Sequence, residues 1–427
     1  MKDNSQPAPQ QPVPQRFIGI DWADKEHEVF VIDENGQGRA ETLEQSPEAI
    51  EQWLSRQLAD GPLAIMLEQS RGALAYALML RENVVLYPVN PKQFSRYRES
   101  YSNAGSKSDQ SDARLLARML SERIDTLTPW TPSTENTRLL TRFCEVRRQV
   151  VDERTRAVQQ LTDSLKCCFP QALKWPGVTS FSPLMLEMLR RWPDPRQLKK
   201  ADRRVLVKVF NEYGRKNKEQ QDTLLKSIRA MTLLCSDAAI LEPAAMKIQL
   251  LVLQIRQLDK TIDEMETRID EEMRKHPDAE LFQSLPGAGR ALAPRLLTAF
   301  GSERDRFARA EDMITFSGIA PVTKQSGKMR LVHRRYACPK FLRQTFHEFA
   351  DQARKWCAWS RAYYNLQRSR GMKRAPPEGW SAALRKLASR WIRILFVVWK
   401  TRTPYDPDKY LAIIQIKNPA IIPFLTS

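Results

Sequence analysis

Apolar residues are spaced differently in the first part of the chain and in its middle. Between residues 16 and 123, short apolar runs of strand length alternate with stretches of helical period. The predicted strands are 16–22, 27–33, 63–68 and 84–89, and the predicted helices are 47–58 and 73–81. Strands that alternate with helices are typical of an α/β sheet with helices packed on its faces.

The middle of the chain has a helical apolar period over two long stretches. The first repeats at Leu139, Phe143, Val146, Val150, Ala157 and Leu161, and the second at Ile248, Leu251, Ile255, Leu258, Ile262, Met265 and Ile269. The second stretch keeps the 3-4 spacing of a heptad repeat. We therefore expect two long helices that pair as a coiled-coil arm or a dimerisation element. Residues 169–236 between them are basic and less periodic, and predict an inserted helical region.

Charge points to a polyanionic partner. The 427 residues include 68 Lys and Arg against 50 Asp and Glu, a formal net charge of +18. Residues 321–403 alone hold 20 Lys or Arg and 3 Asp or Glu, a surplus of 17. Because nucleic acid is the commonest biological polyanion, this concentration of charge favours a nucleic-acid-binding protein.

Cysteine and histidine spacing indicates neither zinc nor a disulfide framework, because the six cysteines have no CxxC pair and the four histidines are scattered. A reduced, cytoplasmic chain is the simpler interpretation. Residues 1–15 are rich in Pro and Gln and lack the apolar core of a signal peptide, and no apolar run has the length of a membrane span. We expect a disordered tail at residues 1–15 and no membrane association.

Four acidic residues have the surroundings of a metal-dependent nuclease centre. Asp21 and Glu68 each close an apolar strand, and Asp109 and Asp112 lie three apart at the start of a helical stretch, on one helical face. Carboxylate oxygens are hard ligands, so they select Mg²⁺ or Mn²⁺, and two such ions can hold a scissile phosphate. Asp109 is also a good helix cap, and any single acid can be a solvated surface residue.

A serine in a basic loop has the parts needed to attack a phosphodiester. Ser326 precedes Gly327, and the cations Lys328, Arg330, Arg334 and Arg335 follow closely. A hydroxyl can act as nucleophile while arginines offset the charge of the transition state. Such a pair is also common in plain loops. The rival Ser317 ends an apolar helical stretch, which explains it without chemistry.

A Pro-Gly-x-Gly turn precedes the helical run 291–300. Gly287 and Gly289 would leave backbone N–H groups at a helix N-terminus, where a nucleic-acid phosphate can bind. A plain turn between two helices is an equal alternative. Lys107 and Arg343 are further candidate phosphate contacts.

Six short motifs occur in the order found in bacterial transposases of the insertion sequence 110 family, and the chain resembles that family on them. They are Gly19-Ile20-Asp21, Leu67-Glu68, the segment 107–113 around Asp109 and Asp112, the turn 285–289, Gly318-Ile319-Ala320-Pro321, and Gln325-Ser326-Gly327. The resemblance spans roughly residues 16 to 400.

The resemblance implies a domain order. A tail at 1–15 precedes a RuvC-like α/β domain of the RNase H type at 16–130. Coiled-coil helices follow at 131–278, including the inserted region 169–236. A mostly α-helical transposase domain at 279–403 precedes a C-terminal tail at 404–427.

The resemblance also implies the chemistry. Asp21, Glu68, Asp109 and Asp112 would form an Asp-Glu-Asp-Asp tetrad that binds Mg²⁺, and Ser326 would be the nucleophile of a site-specific recombinase. The implied partners are the DNA of element ends and target, a structured guide RNA, and further copies of the chain in a dimer or tetramer. Two alternatives stay open: a metal-dependent nuclease of the Holliday-junction type in which Ser326 only positions DNA, and a nucleic-acid-binding regulator with an inactive acidic cluster.

Overall fold

The chain forms two compact units, Met1–Ser133 and Thr134–Ser427. The computed structural model describes residue 14 and residues 16–68, 72–101, 108–327, 329–370 and 378–425, without the side chains of residues 330 and 378–380. The predicted tail at 1–15 therefore lies almost wholly outside the described residues. Each unit is considered by itself below.

The first unit is a mixed α/β sheet domain, as the alternating pattern predicts. Its strands are β1 (Arg16–Asp21), β2 (Glu26–Ile32), β3 (Gly38–Glu44), β4 (Leu63–Leu67) and β5 (Val84–Pro88). Its helices are α1 (Pro47–Leu58), α2 (Ala73–Leu78), α3 (Pro91–Glu99) and α4 (Asp109–Arg123).

The sheet has the strand order β3-β2-β1-β4-β5. β1 pairs with β2 and β2 with β3 in antiparallel fashion, whereas β4 runs parallel to both β1 and β5. β2, β1 and β4 are therefore the inner strands, and β1 and β4, which also have parallel partners, have the nearly continuous apolar sequences of buried strands. Residues Ile18 and Ile20 of β1 join the apolar cluster that includes α1 and α2, while β1 residues of the opposite parity face α4.

Sequence reasoning missed β3 and α3. β3 has the sequence GRAETLE, and Leu43 is its one buried residue. An edge strand with a single buried side chain has no period-2 apolar signal, so the pattern does not predict a strand here. α3 buries only Phe94 and Tyr97 within a polar, basic sequence, and thus has a weak helical signal as well.

The second unit is mostly helical, and two long helices dominate its first part. These are α5 (Glu135–Cys168) and α10 (Ala238–Lys275), which pack against each other and run antiparallel. Asn136 donates a hydrogen bond to the Glu272 carbonyl at 3.1 Å near one end, and Arg154 pairs with Asp259 farther along. Five of the apolar positions that predict α10 are buried, namely Ile248, Leu251, Ile255, Ile262 and Ile269.

In the first turns of α5, the buried face of the helix is shifted by about one residue from the face that the apolar spacing predicts. Leu139 and Val146 are 37% and 36% exposed, whereas Leu140 and Cys144 are buried. The true inward face begins with Thr137 and includes the small Cys144, and neither contributes a strong apolar signal. A prediction that counts only large apolar residues therefore places the buried face of this helix incorrectly.

Residues between these two long helices form the predicted helical region. Its helices are α6 (Pro183–Arg191), α7 (Pro195–Lys200), α8 (Arg203–Glu212) and α9 (Lys218–Ala230). Glu187 of α6 is buried and accepts hydrogen bonds from Arg190 at 2.7 Å, Arg191 at 2.5 Å and Arg256 of α10 at 2.5 Å. Hydrogen bonds from Arg190, then Arg191 and Arg256, lower the pKa of Glu187 to about 2, so this carboxylate ties α6 to α10 as an anion.

The C-terminal part of this unit has seven helices and a hairpin in its described residues. The helices are α11 (Ala279–Gln283), α12 (Gly289–Phe300), α13 (Ala310–Phe316), α14 (Lys340–Trp356), α15 (Ala358–Ser369), α16 (Glu378–Thr401) and α17 (Pro407–Lys417), and the hairpin strands are β6 (Val322–Ser326) and β7 (Met329–His333). The segment 404–427, expected as a tail, contains α17 and a 3-10 helix at Pro419–Phe424. Ile414 and Ile421 are buried in the main core, so this segment is folded onto the unit.

α10 is the one helix among the described residues that is long and apolar enough to cross a bilayer by length and composition. This differs from the expectation that no run has that length. Length and composition are weak evidence of a span, since helices of soluble proteins pass the same test. α10 also pairs with α5 through hydrogen bonds and ion pairs along its length.

Candidate functional site

Asp21 and Glu68 lie at the ends of neighbouring parallel strands. Ile20 of β1 is in register with Leu67 of β4, and these are the residues immediately before the two acids. Each acid is partly buried at this edge of the sheet. The carboxyl ends of parallel strands are where α/β folds assemble their sites, and the sequence prediction for these two residues rests on the same geometry.

Gly19 of β1 allows α4 to lie directly on the sheet. A Cβ at Gly19 would come within 2.1 Å of the Ala113 carbonyl oxygen and 2.3 Å of the Ala117 nitrogen. Phe17, earlier in β1, packs with the cluster of Met119 and Leu120, later in α4, so α4 runs antiparallel to β1. The N-terminal turn of α4 therefore points toward the edge where β1 ends in Asp21.

α4 begins with a complete capping box. The Ser108 side chain accepts from the Ser111 N–H at 3.2 Å, and Ser111 in turn accepts from the Ser108 N–H at 3.4 Å. Asp109 and Asp112 lie in the first turn, where the helix dipole stabilises anions. Because Ser108 is the cap, the alternative of Asp109 as cap does not apply. Asp109 is exposed and points to solvent with no capping bond of its own in the described structure.

Asp112 is the buried member of the predicted tetrad. The residue is 2% exposed, and its Oδ2 accepts a hydrogen bond from Arg98 Nη1 of α3 at 2.6 Å. Its Oδ1 is buried and has no hydrogen-bond partner in the described part of the chain. An unsatisfied buried carboxylate oxygen costs about 1–3 kcal/mol, so this position favours a cation.

The four acids fit a hard divalent cation by donor type. All offer carboxylate oxygens, and the orphaned Oδ1 of Asp112 is a ligand atom without a protein partner. Among the described residues, however, no three His, Cys, Asp or Glu side chains are grouped as a ready metal site. The structure thus brings β1, β4 and the start of α4 to one edge without closing a site of three carboxylates.

Ser326 is the last residue of β6 in a short hairpin. It is in register with Met329 of β7, and Gly327 follows it directly. Gly327 has φ +55°, a left-handed conformation that favours glycine, which accounts for its place after the serine. Ser326 is exposed. Sequence reasoning predicted a helical domain here and missed the hairpin, because β6 is almost entirely polar and exposed.

Ser317 has the structural role that its sequence context predicts. It is fully buried at the C-terminal cap of α13, and its hydroxyl donates to the Ile314 carbonyl at 3.2 Å. A hydroxyl that is buried and engaged with its own helix is out of reach of a large substrate.

The turn before α12 is explained largely by packing. Gly287 has φ +78°, and a Cβ there would meet Gln352 and Trp356 of α14 at 3.0 Å. Gly289 has φ +54° but faces open space. The cap residue Ala288 makes no side-chain capping bond. Gly287 therefore serves close helix packing, and the uncapped N–H groups of α12 keep the phosphate contact a prediction.

Only some of the basic residues predicted to contact nucleic acid are among the residues that the structure describes. Lys107 and Lys328 lie outside the described residues, as does the side chain of Arg330. Arg334 is exposed and lies over the Tyr336 ring at 5.2 Å. Arg343 donates from Nη1 to the Arg335 carbonyl at 3.2 Å.

Three further residues with basic side chains were missed. Arg98 pairs with the tetrad, and His347 and Arg385 lie near Arg334 and Arg343. Arg98 is within an unrecognised helix, and nothing in the local sequence around His347 or Arg385 distinguishes them from other basic residues.

Two family models match the chain. One described as a transposase, of the DEDD kind of IS110 elements, matches residues 18–170. The other, described as transposase of the IS116/IS110/IS902 family, matches residues 279–365. The first match contains the whole acidic tetrad, and the second contains Ser326.

Individual relatives are similar over nearly the whole chain. A Streptomyces coelicolor mini-circle protein named as a transposase for IS117 is 28% identical, over 93% of this chain and 96% of its own length. The uncharacterised 44.8 kDa protein of insertion element IS116 from Streptomyces clavuligerus is 26% identical, over 92% and 96%. The uncharacterised 42 kDa protein of IS900 from Mycobacterium paratuberculosis is 25% identical, over 92% and 97%.

Proposed function

The chain belongs to the IS110 family of insertion-sequence transposases, and we propose that it recombines DNA through a covalent phosphoserine at Ser326. The observation that carries this proposal is the exposed Ser326 at the tip of a hairpin, in the most basic part of the chain. The competing hydroxyl of Ser317 is buried and bonded to its own helix.

In the proposed reaction, Ser326 Oγ forms a bond to phosphorus while the bond from phosphorus to one deoxyribose oxygen breaks. That oxygen leaves with a proton, and the serine proton passes to solvent. A deoxyribose hydroxyl of a second DNA end then attacks the phosphoserine and restores the free serine. The number of phosphodiester bonds is conserved, so the exchange requires neither water as nucleophile nor a nucleotide cofactor.

The acidic tetrad supports this chemistry from an RNase H-like, RuvC-type domain. Asp21 and Glu68 at the strand ends, with Asp109 and Asp112 on α4, would hold Mg²⁺ or Mn²⁺. A bound ion would orient a phosphate and neutralise its charge. Arg98 holds Asp112 in its buried position, with the other carboxylate oxygen left for the ion.

The proposed partners are DNA and a structured RNA that specifies it by base pairing. Support comes from the net charge of +18 and its concentration in residues 321–403. Base pairing by a guide would leave the protein to recognise backbone phosphates, which suits a basic surface. The site of action would be the bacterial cytoplasm, where the DNA is.

We propose that the working unit is a homo-oligomer that includes a coiled-coil contact on α10. Met246, Leu250 and Leu253 are 75%, 66% and 51% exposed, and they follow a helical spacing of four and three residues. This apolar stripe lies beside the face that α5 covers. A second copy of α10 would present the same stripe, so a two-fold symmetric contact would bury both.

Strand exchange by purified protein with its element-end DNA tests the proposal. Ser326→Ala should abolish strand exchange and leave DNA binding intact, whereas Asp21→Asn should abolish exchange and weaken Mg²⁺ binding. If Ser326→Ala still cuts DNA and the products carry hydrolysed ends, the protein is a RuvC-like nuclease instead. If Asp21→Asn changes neither Mg²⁺ binding nor any activity on DNA, the protein is a regulator with an inactive acidic cluster.

A further inference from the structure

Three arginines and one histidine, Arg334, Arg343, Arg385 and His347, lie close enough in the second unit to influence each other electrostatically. Arg343 and His347 lie one turn apart on α14, Arg385 is on α16, which packs against α14, and Arg334 follows β7. Burial, then Arg385, Arg343 and Arg334, lower the pKa of His347 to about 4. Burial, then Arg334 and Arg343, also lower the pKa of Arg385. These four residues are called the cation cluster below.

Acidic residues do not neutralise the cation cluster. In the described part of the chain, none of its four members forms an ion pair with a carboxylate. The nearest acids along α14 are Glu348 and Asp351. Glu348 pairs with Arg148 and Arg295, and Asp351 pairs with Arg354 and Lys355. No carboxylate within the described chain therefore compensates the mutual repulsion of the clustered arginines.

The backbone, rather than a carboxylate, positions one member of the cluster. Arg343 Nη1 donates to the Arg335 carbonyl at 3.2 Å and to Cys338 Sγ at 3.4 Å. Beside it, Arg335 Nε is buried without a hydrogen-bond partner in the described structure. Gly318 makes room for this arrangement, because a Cβ there would lie 2.3 Å from Cys338 Sγ. A guanidinium held by neutral acceptors keeps its full charge for an external anion.

We propose that the cation cluster is a binding site for a backbone phosphodiester of nucleic acid. Guanidinium groups bind phosphate through paired N–H donors, and their convergence without acids creates a site that an anion would stabilise. This inference rests on the proposed function, in that it names where one phosphate of the substrate binds.

The hairpin geometry separates this phosphate from the reacting one. His333 is in register with Val322 at the base of the hairpin, whereas Ser326 is at its tip with Met329. Arg334 therefore follows the end of the hairpin opposite to Ser326. The four-residue step from Met329 to His333 along β7 separates the two ends by about 13 Å. The cation cluster would hold a phosphate a few nucleotides from the scissile one. Its members are binding residues, and Ser326 remains the catalytic residue.

Binding of labelled DNA and RNA to the full-length chain tests this site without any chemistry. Fluorescence anisotropy would be measured in EDTA over a range of NaCl concentrations, with duplex DNA and single-stranded RNA of equal length. Arg385→Gln should weaken binding about tenfold, as expected for a lost charged hydrogen bond, and reduce the salt slope by about one. A loss on DNA alone, on RNA alone or on both supports the site and identifies its source of phosphate.

Arg393→Gln is the matched control. Arg393 lies on the same helix and pairs with Glu311 at 3.1 Å, so its charge is already compensated. The control should bind as wild type. Equal losses in Arg385→Gln and Arg393→Gln, or no loss in either, would overturn the proposal.

A wild-type measurement covers the case in which Arg385→Gln does not fold. The ring carbon signals of His347 would be followed by NMR during a pH titration, with and without inorganic phosphate as the probe. Bound phosphate should raise the pKa of His347 by neutralising the surrounding arginines. An unchanged titration at saturating phosphate would contradict the site. Because neither experiment involves strand exchange, their failure is distinguishable from failure of the Ser326 chemistry.

Discussion

Arg98 donates a hydrogen bond to one oxygen of the Asp112 carboxylate at 2.6 Å and leaves the other oxygen buried and unpartnered. A single arginine therefore satisfies half of a buried anion. The other oxygen, Oδ1, is the atom of the first unit at which a bound cation would stabilise the protein most.

Arg98→Gln should lower stability in the absence of metal and increase the response to it. Loss of the guanidinium leaves Asp112 as a buried charge without a partner, at a cost of about 1–3 kcal/mol. The measurement is the thermal unfolding midpoint in EDTA and in Mg²⁺. Arg96→Gln on the exposed face of the same helix should behave as wild type. An equal Mg²⁺ response in Arg98→Gln and wild type would show that Asp112 is no ligand.

Gly287→Ala and Gly289→Ala form a pair that separates packing from backbone strain. Both glycines have positive φ, so alanine costs about 1–2 kcal/mol at either position. Only at Gly287 would the added Cβ also press on Gln352 and Trp356 at 3.0 Å. Gly287→Ala should therefore lower the thermal midpoint more than Gly289→Ala. Equal shifts would mean that α14 moves aside at no cost.

His347 should make the second unit less stable as the pH falls. Its pKa in the folded chain is about 4, below the ordinary 6.5, so above pH 6.5 it is neutral in both states and contributes nothing. Between pH 6.5 and 4 only the unfolded chain takes up the proton, which favours unfolding. His347→Gln should show a shallower loss of stability over this range in denaturant titrations. A slope identical to wild type would argue against a buried neutral imidazole.

Leu250→Glu should shift the chain to smaller oligomers. The substitution places a charge in the middle of the exposed stripe on α10, where a second copy would pack. Light scattering after size-exclusion chromatography measures the mass directly. Val205→Glu, at an isolated apolar residue that is 42% exposed on α8, should leave the mass unchanged. Unchanged mass in both variants would remove α10 from the interface.

The strand ends in the first unit were predictable from sequence because the signal is local. Asp21 and Glu68 each end an apolar run, and parallel pairing of the runs then aligns the acids. Arg98 was not predictable, since its ion pair with Asp112 spans two elements and an undescribed connection. Pairing across a fold leaves no periodic trace in a single sequence.

In the second unit, too, features with a local sequence signal were predicted, and features that depend on contacts across the fold were not. The heptad pattern predicted a long helix at α10, and the apolar stretch before Ser317 predicted its place at a helix C-terminus. The hairpin of Ser326 was missed because polar, exposed strands lack apolar alternation. The cation cluster was only half recognised, because the sequence offered Arg334 and Arg343 as candidate phosphate contacts, whereas His347 and Arg385 join them only through the packing of α14 against α16.

The central claim is a covalent bond between Ser326 and DNA. The direct measurement is mass spectrometry of the protein after reaction with element-end DNA that carries a nick beyond the cleavage position, followed by nuclease digestion. A nucleotide remnant on Ser326, absent from Ser326→Ala and retained in Ser317→Ala, is the predicted result. DNA cleavage by wild type with no remnant on any serine would contradict the account.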